Sequence, residues 1–230
     1  ALILAAVSVP VQGQSLRDSI DIVFRQGHSD IDTTLPGNRD GLERMSGLLE
    51  TISGCDSLYH IKKIVVTGAA SPEGSVGINN RLSHSRAMTI FDRLASETAL
   101  PDSLTAFSFL GRDWNGLYGM VMADSATPGR DEALRLIADI EEDVRNGNAE
   151  PSEKLARLRD MEGGRTYRYM YSRMFPSLRA TRLYVSYFKR MPQTAWPMPA
   201  VTAAISSPSA MTLPTGLSSR VRARKPWYMA

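Results

Sequence analysis

A single cysteine, Cys55, stands in the 230 residues, which excludes an internal disulfide and a thiolate metal cluster. Histidine is nearly as scarce. His28, His60 and His84 are scattered too widely for the short ligand spacings of a zinc motif. Charge of one sign is also lacking: Lys and Arg total 27 against 24 Asp and Glu, a net charge of +3. Part of that excess sits at the far end in Arg220, Arg222, Arg224 and Lys225, so no nucleic-acid partner is indicated. No long hydrophobic run occurs either. The opening ALILAAVSVPVQGQ is too short to span a bilayer as a mature helix. Its small and branched apolar residues fade into small polar ones before SLRDS. Residues 1–14 therefore read as the remainder of a secretory signal peptide, and export is expected.

What is present is enough apolar composition, 43%, for a packed core. Ile20, Ile22 and Phe24 alternate in SIDIVFR (19–25), the period of a half-buried strand. Leu42, Met45, Leu48, Leu49 and Ile52 fall on one side of a helix over 39–53. IKKIVVT (61–67) reads as a central strand, and 79–95 as a second helix that turns Leu82, Ala87, Ile90, Phe91 and Leu94 inward. LTAFSFLG (104–111) and LRATRLYVSYFKR (178–190) read as the last two strands. Between them lies a helical stretch, with periodic segments at 131–145, 152–161 and 167–175. The order predicts an α+β fold, one sheet with helices on one face and a helical insertion over about 112–177. From 191 the composition changes: six of the 13 prolines fall in 191–226, which marks 191–224 as a linker. The final RKPWYMA turns aromatic again, and 225–230 reads as the start of a further domain.

The most informative stretch is VTGAASPEGSVGINNRLSHSRA (66–87), a strand running through a Gly-rich turn into a helix. Such a turn can cradle a phosphate. A Walker loop, however, needs Gly-Lys-Ser/Thr after the turn, and GAASPEGS has no lysine. The G-x-G-x-x-G dinucleotide spacing is absent too. Ser71 sits in G-x-x-S-x-x-G and not in the G-x-S-x-G of a nucleophile elbow, with no histidine clearly placed as its base. No acid–base or nucleophile pair stands at a credible spacing, so no enzyme is expected.

Helical geometry favours another use. Asn79, Leu82, Ser83 and Arg86 stand at i, i+3, i+4 and i+7, so they share one face near the helix N-terminus. A guanidinium there, beside free amides and the helix dipole, makes a corner for a carboxylate. The plainer alternative is that Arg86 pairs with Glu73, Asn79 caps the helix and Ser83 is solvated.

The pattern T-G-x-x-x-x-x-G followed by N-x-x-L-S-x-x-R-A resembles the OmpA-like peptidoglycan-associating domain, through Thr67, Gly68, Gly74, Asn79, Leu82, Ser83, Arg86 and Ala87. FRQGHSDID, ASPEGS, DWNGL and YRYMYSRMFPSLRATRLYVSY are similar to exported OmpA-like proteins of Bacteroidota. In those relatives a KPxYMA segment opens a C-terminal outer-membrane barrel. The resemblance implies a β-α-β-α-β-β sandwich over 15–190, and no cofactor or metal. It also implies a periplasmic place beside the outer membrane, and diaminopimelate in peptidoglycan stem peptides as ligand. In the family an aspartate in the turn takes the ligand's ammonium and the helix arginine its carboxylate. Arg86 matches that arginine, whereas Ser71 stands where the aspartate would be, with Glu73 two residues on as its replacement. Arg182 matches a basic position bordering the site.

Two functions follow as expectations. One is a non-catalytic domain tethering the envelope to peptidoglycan through Ser71, Glu73, Asn79, Leu82, Ser83, Arg86 and Arg182. The other is a fold that has lost glycan binding and serves envelope assembly, with protein partners met through the insertion. An acid within reach of Ser71 and Arg86 favours the first; a filled or uncharged pocket favours the second.

Overall fold

Alternating and helical apolar patterns meet in one four-stranded sheet, seen in a computed structural model that describes residues 13–191 except 56 and 99. Of the expected signal peptide (1–14), residues 1–12 lie outside the described residues and Gly13 and Gln14 already belong to the first strand; 192–224 of the expected linker and the further domain at 225–230 lie outside them as well. Strand β1 spans Gly13–Val23, helix α1 Asn38–Gly54, β2 Tyr59–Ala70, α2 Val76–Ala95 and β3 Thr105–Arg112. The insertion follows as α3 Trp114–Ala123, α4 Arg130–Arg145, α5 Ser152–Asp160, α6 Arg165–Arg173 and α7 Phe175–Leu178, before β4 Ala180–Arg190. The sheet order is β1-β4-β2-β3. β4 runs antiparallel to both β1 and β2, and β2 and β3 are parallel, so the sheet is mixed.

One face of the sheet carries the main core. Ile20 and Ile22 of β1, Ile64 and Val66 of β2, and Leu183 and Val185 of β4 are buried against Leu42, Met45 and Leu49 of α1 and Ala87, Ile90 and Leu94 of α2. The period-2 and period-3.6 stripes are thus the two halves of one hydrophobic contact. Gly68 lets the layers approach: a Cβ there would collide with the Ser83 carbonyl oxygen of α2 and stand 3.0 Å from the Ala87 Cβ.

The insertion has a core of its own. Trp114, Leu117 and Val121 of α3 pack with Leu136, Ile137 and Ile140 of α4, Leu155 and Leu158 of α5, and Met170 and Phe175. Tyr167 and Tyr171 pack on Phe175, with ring centres 5.5 Å and 5.7 Å away, so those two tyrosines are packing groups. Many of its charges pair locally, as in Glu141 with Arg145, Asp143 with Lys154 and Glu132 with Arg157.

Several boundaries differ from the sequence expectation, and at three of them the reason is plain. β1 begins at Gly13 rather than 19, since backbone pairing with β4 carries it out to Gly13 opposite Arg190. α2 begins at Val76 rather than 79, because Ser75 caps it, its Oγ accepting from the Ile78 amide at 3.4 Å. β4 begins at Ala180 rather than 178, with α7 occupying the preceding turn.

Candidate functional site

At the end of β2 the chain leaves the sheet through Ser71, Pro72, Glu73 and Gly74 and enters α2. Gly74 makes the turn possible with φ of 83°, a left-handed conformation that costs a residue without Cβ little. Asn79, in the first turn of α2, reaches back with Nδ2 to the Glu73 carbonyl at 2.6 Å. It fastens the turn and does not cap the helix. From the other side Arg112, at the end of β3, donates Nη2 to the Gly74 carbonyl and, at 2.9 Å, to Glu150 Oε1.

Below this turn lies a pocket of about 120 Å³. Ser71, Glu73, Asn79, Leu82 and Arg86 all line it, joined by Gln26 and Arg179. Ser83 and Arg182 do not. Ser83 is buried in the contact of α2 with β3, where its hydroxyl donates to the Asn80 carbonyl at 3.0 Å and accepts from the Gly111 amide at 3.2 Å. Arg182 alternates with the core-facing Thr181 and Leu183, and its nitrogens lie 3.7 Å from Asp21 and 3.6 Å from Asp113. Strand alternation puts it on the sheet face away from α2.

Arg86 is 1% exposed. Its Nε donates to the His28 carbonyl at 2.9 Å, Nη1 to the Ala69 carbonyl at 3.0 Å and Nη2 to the Arg25 carbonyl at 3.2 Å. The Phe24 ring centre lies 5.2 Å away. Burial pulls the Arg86 pKa down to about 10; the positive charge of Arg179 adds to this and the negative charge of Glu73 opposes it. A guanidinium offers five N–H donors. Three bonds to backbone leave two of them over.

Glu73 does not pair with Arg86. Arg179, just after α7, donates Nε and Nη2 to Glu73 Oε1 at 3.0 Å and 2.8 Å, and Nε also lies 3.2 Å from Ser71 Oγ. Glu73 Oε2 is buried without a hydrogen-bond partner. The pocket therefore holds two cations, one anion and one unused carboxylate oxygen. Arg179 and Arg112 escaped sequence reasoning, since their contacts with the turn span 106 and 38 residues.

A wider cavity of about 520 Å³ lies along α1, lined by Arg39, Glu43, Glu50, Arg93 and Glu97 among others, and shares no residue with the turn. Glu97 is already held there by Ser46 and Arg93. Among the described residues no group of three or more His, Cys, Asp or Glu is placed to hold a metal ion.

Fold and site together define an α+β domain with a charged pocket at a strand–turn–helix junction. No protein-family model and no curated protein matches the chain. Among solved structures, it is similar to the peptidoglycan-associated lipoprotein from Burkholderia pseudomallei, at 16% identity over 40% of this chain and 70% of that one, TM-score 0.31. It is also similar to the OmpA-like domain of FopA1 from Francisella tularensis subsp. tularensis SCHU S4, at 13% identity over 77% of each chain, TM-score 0.39. A third is an outer membrane protein from Borrelia burgdorferi B31, at 18% identity over 45% of this chain and 87% of that one, TM-score 0.34.

Proposed function

We propose that this chain is a non-catalytic binding domain of the cell envelope that holds the amino-carboxylate end of diaminopimelate in peptidoglycan stem peptides, from a periplasmic position beside the outer membrane. One observation carries the reading. The pocket pairs a guanidinium with spare donors, Arg86, with a buried carboxylate oxygen that lacks any donor, Glu73 Oε2. A zwitterion supplies what each lacks, a carboxylate for Arg86 and an ammonium for Glu73. The T-G-x-x-x-x-x-G and N-x-x-L-S-x-x-R-A resemblance supports the same assignment. Binding chemistry rather than catalysis suits Ser71, because its hydroxyl faces the cation of Arg179 and not a base.

A second reading, an envelope assembly domain that has lost glycan binding, is favoured by one observation. Arg179 already sits on Glu73 and Ser71, where a ligand ammonium would go.

A titration of the chain with a soluble diaminopimelate-containing stem peptide separates the two. The tethering reading expects saturable binding that Glu73→Gln weakens by about 1.5–3 kcal/mol, the worth of a hydrogen bond to a charged group. No binding by the parent chain sinks it for this ligand and leaves the assembly reading.

A further inference from the structure

The helical insertion reaches the pocket through one cation. Arg179 stands between α7, at the insertion's end, and β4. Its side chain is 11% exposed, and its guanidinium lies 5.9 Å from the ring centre of Tyr171 on α6. Tyr171 in turn donates its hydroxyl to Gln26 Oε1 at 2.9 Å, and Gln26 lines the pocket. The insertion thus braces one wall.

The brace acts on Glu73. A glutamate on a turn has three side-chain torsions and can swing its carboxylate into water. Arg179 removes that freedom by placing Nε and Nη2 on the same oxygen, Oε1, while Nε also reaches Ser71 Oγ. The other oxygen is left buried and unpaired. Such an oxygen is costly in a folded protein, and a donor arriving from outside relieves the cost. With Arg86 and Arg179 against Glu73, the charges lining the pocket also sum to one positive unit. A ligand bearing an amine but no carboxylate is therefore repelled.

We propose that the insertion positions the pocket's acid: Arg179, stacked over Tyr171, fixes Glu73 so that Oε2 receives the amine of an amino-carboxylate while Arg86 receives the carboxylate. Arg179 is a positioning residue that makes good the neutral Ser71. The proposal rests on the stem-peptide reading above.

The test titrates the full chain with three probes: diaminopimelate, pimelate, which keeps the carboxylates and lacks the amines, and 1,5-diaminopentane, which has only amines. The parent binds diaminopimelate about tenfold or more tighter than pimelate, as one charged hydrogen bond allows, and does not bind the diamine. In Arg179→Ala the diaminopimelate affinity drops by about that factor beyond the smaller loss that pimelate suffers with one cation gone, so the preference collapses. Arg179→Lys, which keeps the charge but loses the fork, recovers part of it. Tyr171→Ala, which substitutes no pocket-lining residue but removes the support of Arg179 and Gln26, reduces the preference in the same direction and covers the case of an Arg179→Ala chain that fails to fold. Unchanged or tighter diaminopimelate binding in a folded Arg179→Ala variant overturns the positioning role, making Arg179 a bystander or a competitor. Failure of the parent to bind diaminopimelate or pimelate overturns the stem-peptide reading itself, and the proposal with it.

Discussion

Arg179 grips one oxygen of Glu73 with two nitrogens, at 3.0 Å and 2.8 Å, and leaves the other oxygen buried and unpaired. Both side chains are largely removed from water, at 11% and 15% exposure. Truncating one partner of such a pair strands the other's charge. Glu73→Ala should therefore destabilise the fold by about 2–3 kcal/mol, somewhat below what breaking a fully buried pair costs, because neither side chain is fully buried. The denaturant midpoint measures this. A loss below half a kcal/mol would show that Arg179 finds water instead.

Arg86 ties three segments together through the carbonyls of Arg25, His28 and Ala69. Replacing it by alanine removes three charge-assisted bonds and opens a cavity among buried carbonyls. Arg86→Ala should cost about 3–5 kcal/mol of stability, so loss of binding in that variant alone says little about ligand contact. Arg86→Lys is the better probe. It keeps a charge that reaches only part of the three carbonyls, and it should lie between the two in thermal midpoint.

The Arg86 charge has an alkaline limit. Its folded pKa is drawn down to about 10 from the higher value of a free guanidinium, chiefly by burial. Between those two values the unfolded chain holds a proton that the folded chain has released, so this group's contribution to stability rises with pH there. Anion binding moves the other way, because the neutral guanidine has lost the charge. Pimelate, whose carboxylates do not titrate in this range, should bind at pH 8 and lose affinity as pH passes about 10. Affinity still flat at pH 11 would mean that Arg86 stays charged or takes no part.

Asp32 governs the loop that supplies two of those carbonyls. It accepts from the Thr34 hydroxyl and amide at 2.5 Å and 2.9 Å and from Arg25 Nε at 2.6 Å. The Thr34 bonds first, and Arg25 after them, hold its pKa near 2 against an ordinary 3.8. The sign is that of a depressed carboxylate: its stabilising effect is complete above about 3.8 and is lost as pH falls through about 2. NMR titration of the Asp32 carboxyl should find a midpoint near 2 that moves up in Thr34→Ala.

Much of this fold was legible because its core stripes are periodic. Ile20 and Ile22, Ile64 and Val66, and Ala87, Ile90 and Leu94 mark the faces that the structure buries together. The stretch GQSLRD before them has almost no such stripe and is a strand only because its backbone pairs with β4. α3 went unresolved within the helical stretch because WNGLYGMVMA is apolar on nearly every side and carries two glycines, so no amphipathic period stands out. Within the site, helical spacing placed Asn79, Leu82 and Arg86 on one wall, and the turn placed Ser71 and Glu73 opposite. What spacing cannot reveal is the partner of a charge. Glu73 meets Arg179 across 106 residues only because the insertion returns the chain to that point.

Gly68 gives a test of the close packing between β2 and α2. A methyl group there meets the Ser83 carbonyl oxygen and lies 2.8 Å from its carbon, both backbone atoms of α2 that cannot rotate away. Gly68→Ala should cost about 3 kcal/mol, the upper part of the usual overpacking range, by forcing α2 off the sheet. Since Arg86 rides on α2, ligand affinity should fall with stability in the thermal and titration data together.

Ser83 separates the face of α2 that packs from the face that borders the pocket. Spacing alone groups it with Asn79, Leu82 and Arg86, yet its hydroxyl joins the Asn80 carbonyl to the Gly111 amide, and it does not line the pocket. Gly111 has a φ of 60°, and its amide finds its acceptor in Ser83 Oγ. Ser83→Ala leaves a buried amide without an acceptor and should cost about 1–3 kcal/mol. Diaminopimelate affinity, measured well below the unfolding transition, should stay within twofold of the parent, about 0.4 kcal/mol on the logarithmic scale of affinity. A loss of tenfold or more in a folded Ser83→Ala chain would place the hydroxyl on the ligand side of α2, against the geometry that ties it to β3.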